Sequence, residues 1–171
     1  MSMRHANTFA VHPGWRLLLK DAGIDATRVL RRSGLPDDLF ARPSASLSPR
    51  DYFRFWRALE AEAADPTLPI RIGAAISVEA FDAPIFAALC SQNLSTALGR
   101  LRRYKPLIGP MSLRIDQDPV ATRLQIEYLD ESETPPGVLA ATELVFFVQL
   151  ARLGLVEVLD LEPCCDRILV D

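Results

Sequence analysis

Up to about residue 108 the apolar residues recur at helical spacing. Trp15, Leu18 and Leu19 form one stripe of a short helix over 15–22, which Gly23 stops. Asp25 is placed to cap a second helix over 26–33, and Gly34 and Pro36 end it. Residues 42–48 read as a loop. Ser48-Pro49-Arg50-Asp51 is the clearest helix start in the chain: Ser48 caps, Pro49 takes the first helical position, and Asp51 complements the positive helix end. The stripe that follows is Tyr52, Phe55, Trp56, Leu59 and Ala63, with Arg50, Arg54 and Arg57 on the other side. Asp65-Pro66 breaks this helix. Another is predicted over 70–78, with Ile72 and Ile76 inward. A short one over 85–91 opens after Asp82-Ala83-Pro84. Asn93 interrupts the pattern, and Ser95 is taken as the cap of a helix running to about Lys105, ended by Pro106 and Pro110.

Beyond this point the period changes to two. Met111, Leu113 and Ile115 alternate with polar residues, as do Leu124, Ile126 and Tyr128 after Asp118-Pro119. This predicts a hairpin of two half-buried strands over 111–129. Pro135-Pro136-Gly137 leads into a long apolar helix over 138–153. Residues 156–161 read as a further short strand, and an apolar run, Ile168 to Val170, closes the sequence. Helices and strands are segregated along the chain, which defines an α+β class: mostly helical, with a small antiparallel sheet packed against a long C-terminal helix. The helix is needed there because a lone hairpin is not stable in water. Residues 1–13 are expected to be disordered, and 14–171 to form a single domain.

Composition narrows the function. The 171 residues are 49% hydrophobic, ordinary for a folded domain, and carry a net charge of −3. Residues 1–64 sum to +3 and residues 65–171 to −6, so neither part has the basic surface that a self-sufficient nucleic-acid binder needs. The segment 25–39 has the outline of a helix-turn-helix, but Pro36 stands in its turn. No apolar leader segment precedes Pro13. The most apolar stretch, 138–155, contains Glu143, Gln149 and Arg152 and reads as a buried helix, not a membrane span. The expected compartment is the cytoplasm, with no membrane association.

Candidate chemistry is sparse. The only histidines are His5 and His12, and the three cysteines are Cys90, Cys164 and Cys165. Neither a Cys-x-x-Cys pair nor a base near a nucleophile is present, so no metal, no cofactor and no catalytic residue is expected, and the chain is not read as an enzyme. Cys90 is expected to be a core thiol on an apolar helix face. Adjacent Cys164 and Cys165 could bridge only with strain. Asp130, Glu131 and Glu133 read as a solvated loop. The basic run from Arg100 to Lys105 is either a solvated helix face or an anion contact. Glu143 is the most telling residue, because Leu139, Ala140, Phe146 and Phe147 surround it on the helical wheel. A carboxylate in such a place either has an internal arginine partner or faces a ligand.

At residues 81–111 the sequence becomes specific. Phe81-Asp82-Ala83-Pro84-Ile85-Phe86 is followed by Asn93-Leu94, Ala97-Leu98, Arg102-Arg103-Tyr104-Lys105 and Leu107-Ile108-Gly109-Pro110. Upstream stand Gly23-Ile24-Asp25, Ser33-Gly34-Leu35, Asp65-Pro66 and Ile72-Gly73. In order and spacing these residues resemble the N-terminal, arabinose-binding-like sensor domain of AraC-type transcription regulators, over about residues 15–165. The resemblance implies a bacterial-type regulatory domain that binds a small effector, dimerises, and controls a C-terminal helix-turn-helix domain. Promoter DNA would be contacted only through that C-terminal domain, which is expected to be missing from this chain. Two other readings are a protein-interaction domain without a small-molecule ligand and a small enzyme. A ligand pocket is expected between the helices 81–91 and 95–108, the hairpin and the helix 138–153. Phe81, Phe86, Tyr104, Tyr128 and Phe147 would wall it, and Glu143 and Arg103 would be its polar anchors. That pairing favours an amphipathic metabolite such as an amino acid or short acid.

Overall fold

The computed structural model describes residues 8–42, 44–75, 88, 90–129, 133–156 and 167–170. In chain order the elements are β1 (Phe9–Ala10), α1 (Trp15–Asp21), α2 (Ala26–Ser33), a 3-10 turn (Leu39–Ala41), β2 (Ser46–Leu47), α3 (Pro49–Ala63), α4 (Leu68–Ala75), α5 (Leu94–Ile108), β3 (Met111–Gln117), β4 (Ala121–Tyr128), α6 (Gly137–Val156) and β5 (Arg167–Val170). The α+β class is as expected, with most described residues in helices.

The helix boundaries follow from local chemistry. The Asp25 carboxylate accepts from the Thr27 N–H at 2.8 Å and opens α2. Gly34, at φ 68°, closes it in the left-handed conformation that glycine adopts without strain. Ser48 accepts from the Asp51 N–H at 3.1 Å and donates to the Asp51 carboxylate at 2.8 Å, so both partners of the predicted cap are engaged. Two expectations fail on α5. Its cap is Asn93, whose side chain accepts from the Thr96 N–H at 2.8 Å, while the Ser95 hydroxyl reaches Gln117. Pro106 lies inside the last turn instead of ending it. So near the end, its missing N–H forfeits only the bond to the Arg102 carbonyl.

The hairpin forms as predicted, with Met111 opposite Tyr128, Leu113 opposite Ile126 and Ile115 opposite Leu124. All six side chains therefore share one face. A third strand, β5, pairs in parallel with β4, Ala121 opposite Arg167. The strand predicted over 156–161 lies mostly outside the described residues, and Val156 itself ends α6. Of the start expected to be disordered, residues 1–7 lie outside the described residues, while Phe9 is 1% exposed and pairs with Leu47 in a two-stranded ribbon, so residues 42–48 are not wholly loop.

Two hydrophobic clusters fill the interior. The first joins α1, α2, α3 and α4 around Trp56, Phe53 and Leu59, and takes in Met111, Val138 and Leu139. Its rings meet edge to face, Trp15 with Phe55 at 5.5 Å and Phe40 with Phe55 at 5.9 Å. The second joins α5, the hairpin and α6 through Leu98, Leu101, Leu113, Leu124, Phe146, Phe147 and Leu150. Ile126 touches both clusters. Between α4 and α6 the backbones come close at Gly73, where a Cβ would collide with the Val145 side chain.

Candidate functional site

The seam between the two clusters holds the buried charges. Lys105 projects from the last turn of α5 and Glu143 from the second turn of α6. Lys105 Nζ donates to Glu143 Oε2 at 2.5 Å, with the two side chains 7% and 10% exposed. One turn before Glu143, Leu139 belongs to the first cluster; one turn after it, Phe147 belongs to the second. The Lys105 ammonium lies 5.1 Å from the Phe146 ring centre and 5.8 Å from that of Phe147, so the cation also faces the negative ring faces. Neighbouring Thr142 is buried too, but its hydroxyl donates to the Val138 carbonyl at 2.7 Å and is satisfied within the helix.

Tyr128, at the end of β4, completes the group. Its hydroxyl is buried without a hydrogen-bond partner. Burial pushes the phenol up to about 12, and the nearby Glu143 carboxylate adds to the shift. Its ring stands 5.9 Å from that of Phe53, which is fully buried although it lies off the helical stripe of α3 that the sequence predicts.

The expected site residues divide into three groups. Glu143 and Phe147 come together at Lys105, and Tyr128 lies close enough to Glu143 to feel its charge. Arg103 does not join them: it is exposed on α5, its guanidinium 5.9 Å from the ring of half-buried Tyr104. The internal partner of Glu143 is a lysine two positions further on, not an arginine. Phe81 and Phe86 lie outside the described residues. Within the basic run, Arg100 reaches the Ser91 hydroxyl at 3.1 Å.

Other expectations are corrected here. Cys90 is exposed in a turn and not buried on a helix face. Cys164 and Cys165 fall outside the described residues. Glu133 is held by Arg57 at 2.7 Å and Arg50 at 3.4 Å, and Arg57 also donates to the Thr134 carbonyl at 2.8 Å, so the segment before α6 is tied to α3. Asp130 and Glu131 lie outside the described residues. Among the described residues no three acidic, histidine or cysteine side chains gather as metal ligands, and no helix is long and apolar enough to cross a membrane.

The described residues form an α+β domain whose buried charges lie between helices and a sheet. The sequence places it more narrowly: residues 23–162 match the family described as the N-terminal arabinose-binding domain of AraC transcription regulators, and the chain belongs to that family. Domains of this kind serve transcription regulation and effector sensing and are in general not enzymes. No curated protein gives a significant match.

Proposed function

We propose that this domain binds a small effector between α5, the hairpin and α6, and that it acts as a homodimer in the cytoplasm to control the DNA-binding helices of its regulator. The observation that carries this reading is the buried Lys105–Glu143 pair beside the unpartnered Tyr128 hydroxyl. A core needs no ion pair for stability, and replacing such pairs by apolar residues is often neutral or favourable. An orphaned buried hydroxyl calls for an occupant or an exchange of partners. Phe147 and the helix that carries Glu143 then relay occupancy, because parting α5 from α6 moves the seam between the two clusters.

Self-association draws support from α6, which is apolar on nearly all its faces and exposes Leu144, and from Ile70 on the adjoining α4, 62% exposed. Two DNA-binding heads held together in this way would read paired half-sites in promoter DNA.

The test is a thermal-shift or native mass-spectrometry screen across amino acids, organic acids, fatty acids, sugars and cyclic dinucleotides. A ligand present at 100 times its Kd stabilises by about 2.7 kcal/mol. Binding that is unchanged in Glu143→Gln, Tyr128→Phe and Phe147→Ala would move the pocket elsewhere. A screen without any hit would remove the sensing role. Light scattering that shows only monomer at high micromolar concentration would remove the dimer.

A further inference from the structure

The charges at the seam restrict what an occupant can be. Among the described residues the buried charged side chains are Lys105 and Glu143 alone, and they neutralise each other. Any molecule that enters between them must leave both charges compensated, since an ion stripped of its partner in an apolar interior is strongly disfavoured. A neutral polyol separates the pair and compensates neither member. A simple carboxylate satisfies Lys105 and strands Glu143, while a simple amine does the reverse. Only a molecule with both an anionic and a cationic group replaces each lost partner.

Resting on the sensing reading above, we propose that the effector is a zwitterion, a free α-amino acid with an apolar side chain. Its carboxylate takes the Lys105 ammonium and accepts from the Tyr128 hydroxyl. Its ammonium takes the Glu143 carboxylate. The ammonium and carboxylate of an α-amino acid are two bonds apart, so one small molecule can face both protein groups once α5 and α6 part slightly. The Tyr128 hydroxyl, buried without a hydrogen-bond partner, gains one. The side chain of the ligand meets Phe146, Phe147 and Leu101, and no further buried charge is present among the described residues to receive a charged side chain. Binding exchanges the α5–α6 ion pair for two ligand contacts, which couples occupancy to the spacing of these helices.

The experiment measures melting temperature and calorimetric binding for the whole chain with L-leucine, L-isoleucine, L-valine, L-methionine and L-phenylalanine. Hydrocinnamate supplies the carboxylate alone, phenethylamine the ammonium alone, and L-arabinose neither charge. At least one of the five amino acids is expected to raise the melting temperature, by about 5–10 °C at 100 times its Kd. The singly charged analogues are expected to bind at least about 100-fold more weakly. The variant Lys105→Met/Glu143→Leu, whose unchanged or higher melting temperature verifies its folding, is expected to lose the response. Hydrocinnamate or phenethylamine binding as tightly as L-phenylalanine overturns the proposal, as does an undiminished response in the double variant. Stabilisation by L-arabinose and by none of the amino acids overturns it while leaving the sensing reading intact. No response to any compound in the wider screen overturns both.

Discussion

Lys105 and Glu143 are 38 positions apart in sequence and meet at 2.5 Å, in a core where no other charged side chain among the described residues is buried. Their mutual dependence gives a clear expectation. Lys105→Met leaves the carboxylate alone in an apolar interior and should cost about 3–5 kcal/mol in urea denaturation. Adding Glu143→Leu to that variant should recover the whole of the loss. A double variant as unstable as the single one would mean that the pair is structurally indispensable.

Gly73 should show an inverted helix propensity. In an exposed helix, glycine to alanine stabilises by about 1 kcal/mol. Here the added methyl meets the Val145 side chain, so Gly73→Ala should destabilise by about 1–3 kcal/mol. Val145→Ala in the same chain should reverse the sign of the Gly73→Ala effect. Additive losses in the double variant would rule out this contact as the cause.

Asp65 gives the acid limb of the stability curve a named contributor. The Arg71 side chain, then the Thr67 hydroxyl and N–H, hold its carboxyl at about 2, below its ordinary 3.8. The folded form therefore binds this proton more weakly than the unfolded form. The contribution is complete above about pH 4 and disappears as the pH falls through 2. Asp65→Asn, which keeps an oxygen for the Thr67 N–H, should flatten the loss of stability between these values in acid denaturation. An unaltered acid slope would exclude Asp65 as a contributor.

Tyr128 should ionise late, near pH 12. Its folded form holds the proton more tightly than the unfolded one, whose value is near 10, so stability is full below 10 and falls as the pH rises through 12. Tyr128→Phe should remove the late step in ultraviolet tyrosinate absorbance. It should also stabilise the ligand-free domain slightly at neutral pH, by up to about 1 kcal/mol, since it removes an unsatisfied buried hydroxyl. A loss of stability would reveal a partner for that hydroxyl.

What was legible in the sequence was what short-range chemistry decides. Asp25, Gly34, Ser48 and Pro49 act within four residues of themselves, and alternation fixes the face of the 111–129 hairpin without reference to the rest of the chain. Glu143 also stood out, because its helical neighbours are all apolar. Its partner did not: a lysine in a basic run looks solvated until the fold carries α6 across it. By sequence Arg103 is equally placed, and only the rotation of α5 decides between two residues about 200° apart on a helical wheel. The β1–β2 ribbon and the parallel strand β5 depend on pairings between segments far apart in sequence, which local pattern cannot supply. Gly73 belongs to the residues that carry the resemblance, but the physical reason for a glycine there is a valine on another helix, which local pattern cannot supply.

The division into two clusters also sets an order of events during synthesis. The first is built mainly from residues before Leu68 and Ile72, so most of it can collapse while the rest of the chain is still being made. The second cannot close until α6 arrives. Between the emergence of Lys105 and that of Glu143 the ribosome adds 38 residues, about 2–8 s at 5–20 residues per second. During that interval the ammonium has no counter-ion and stays in water. Burying Lys105 before Glu143 exists would strand its charge in an apolar interior, so the seam between the clusters is the last part of the core that can close.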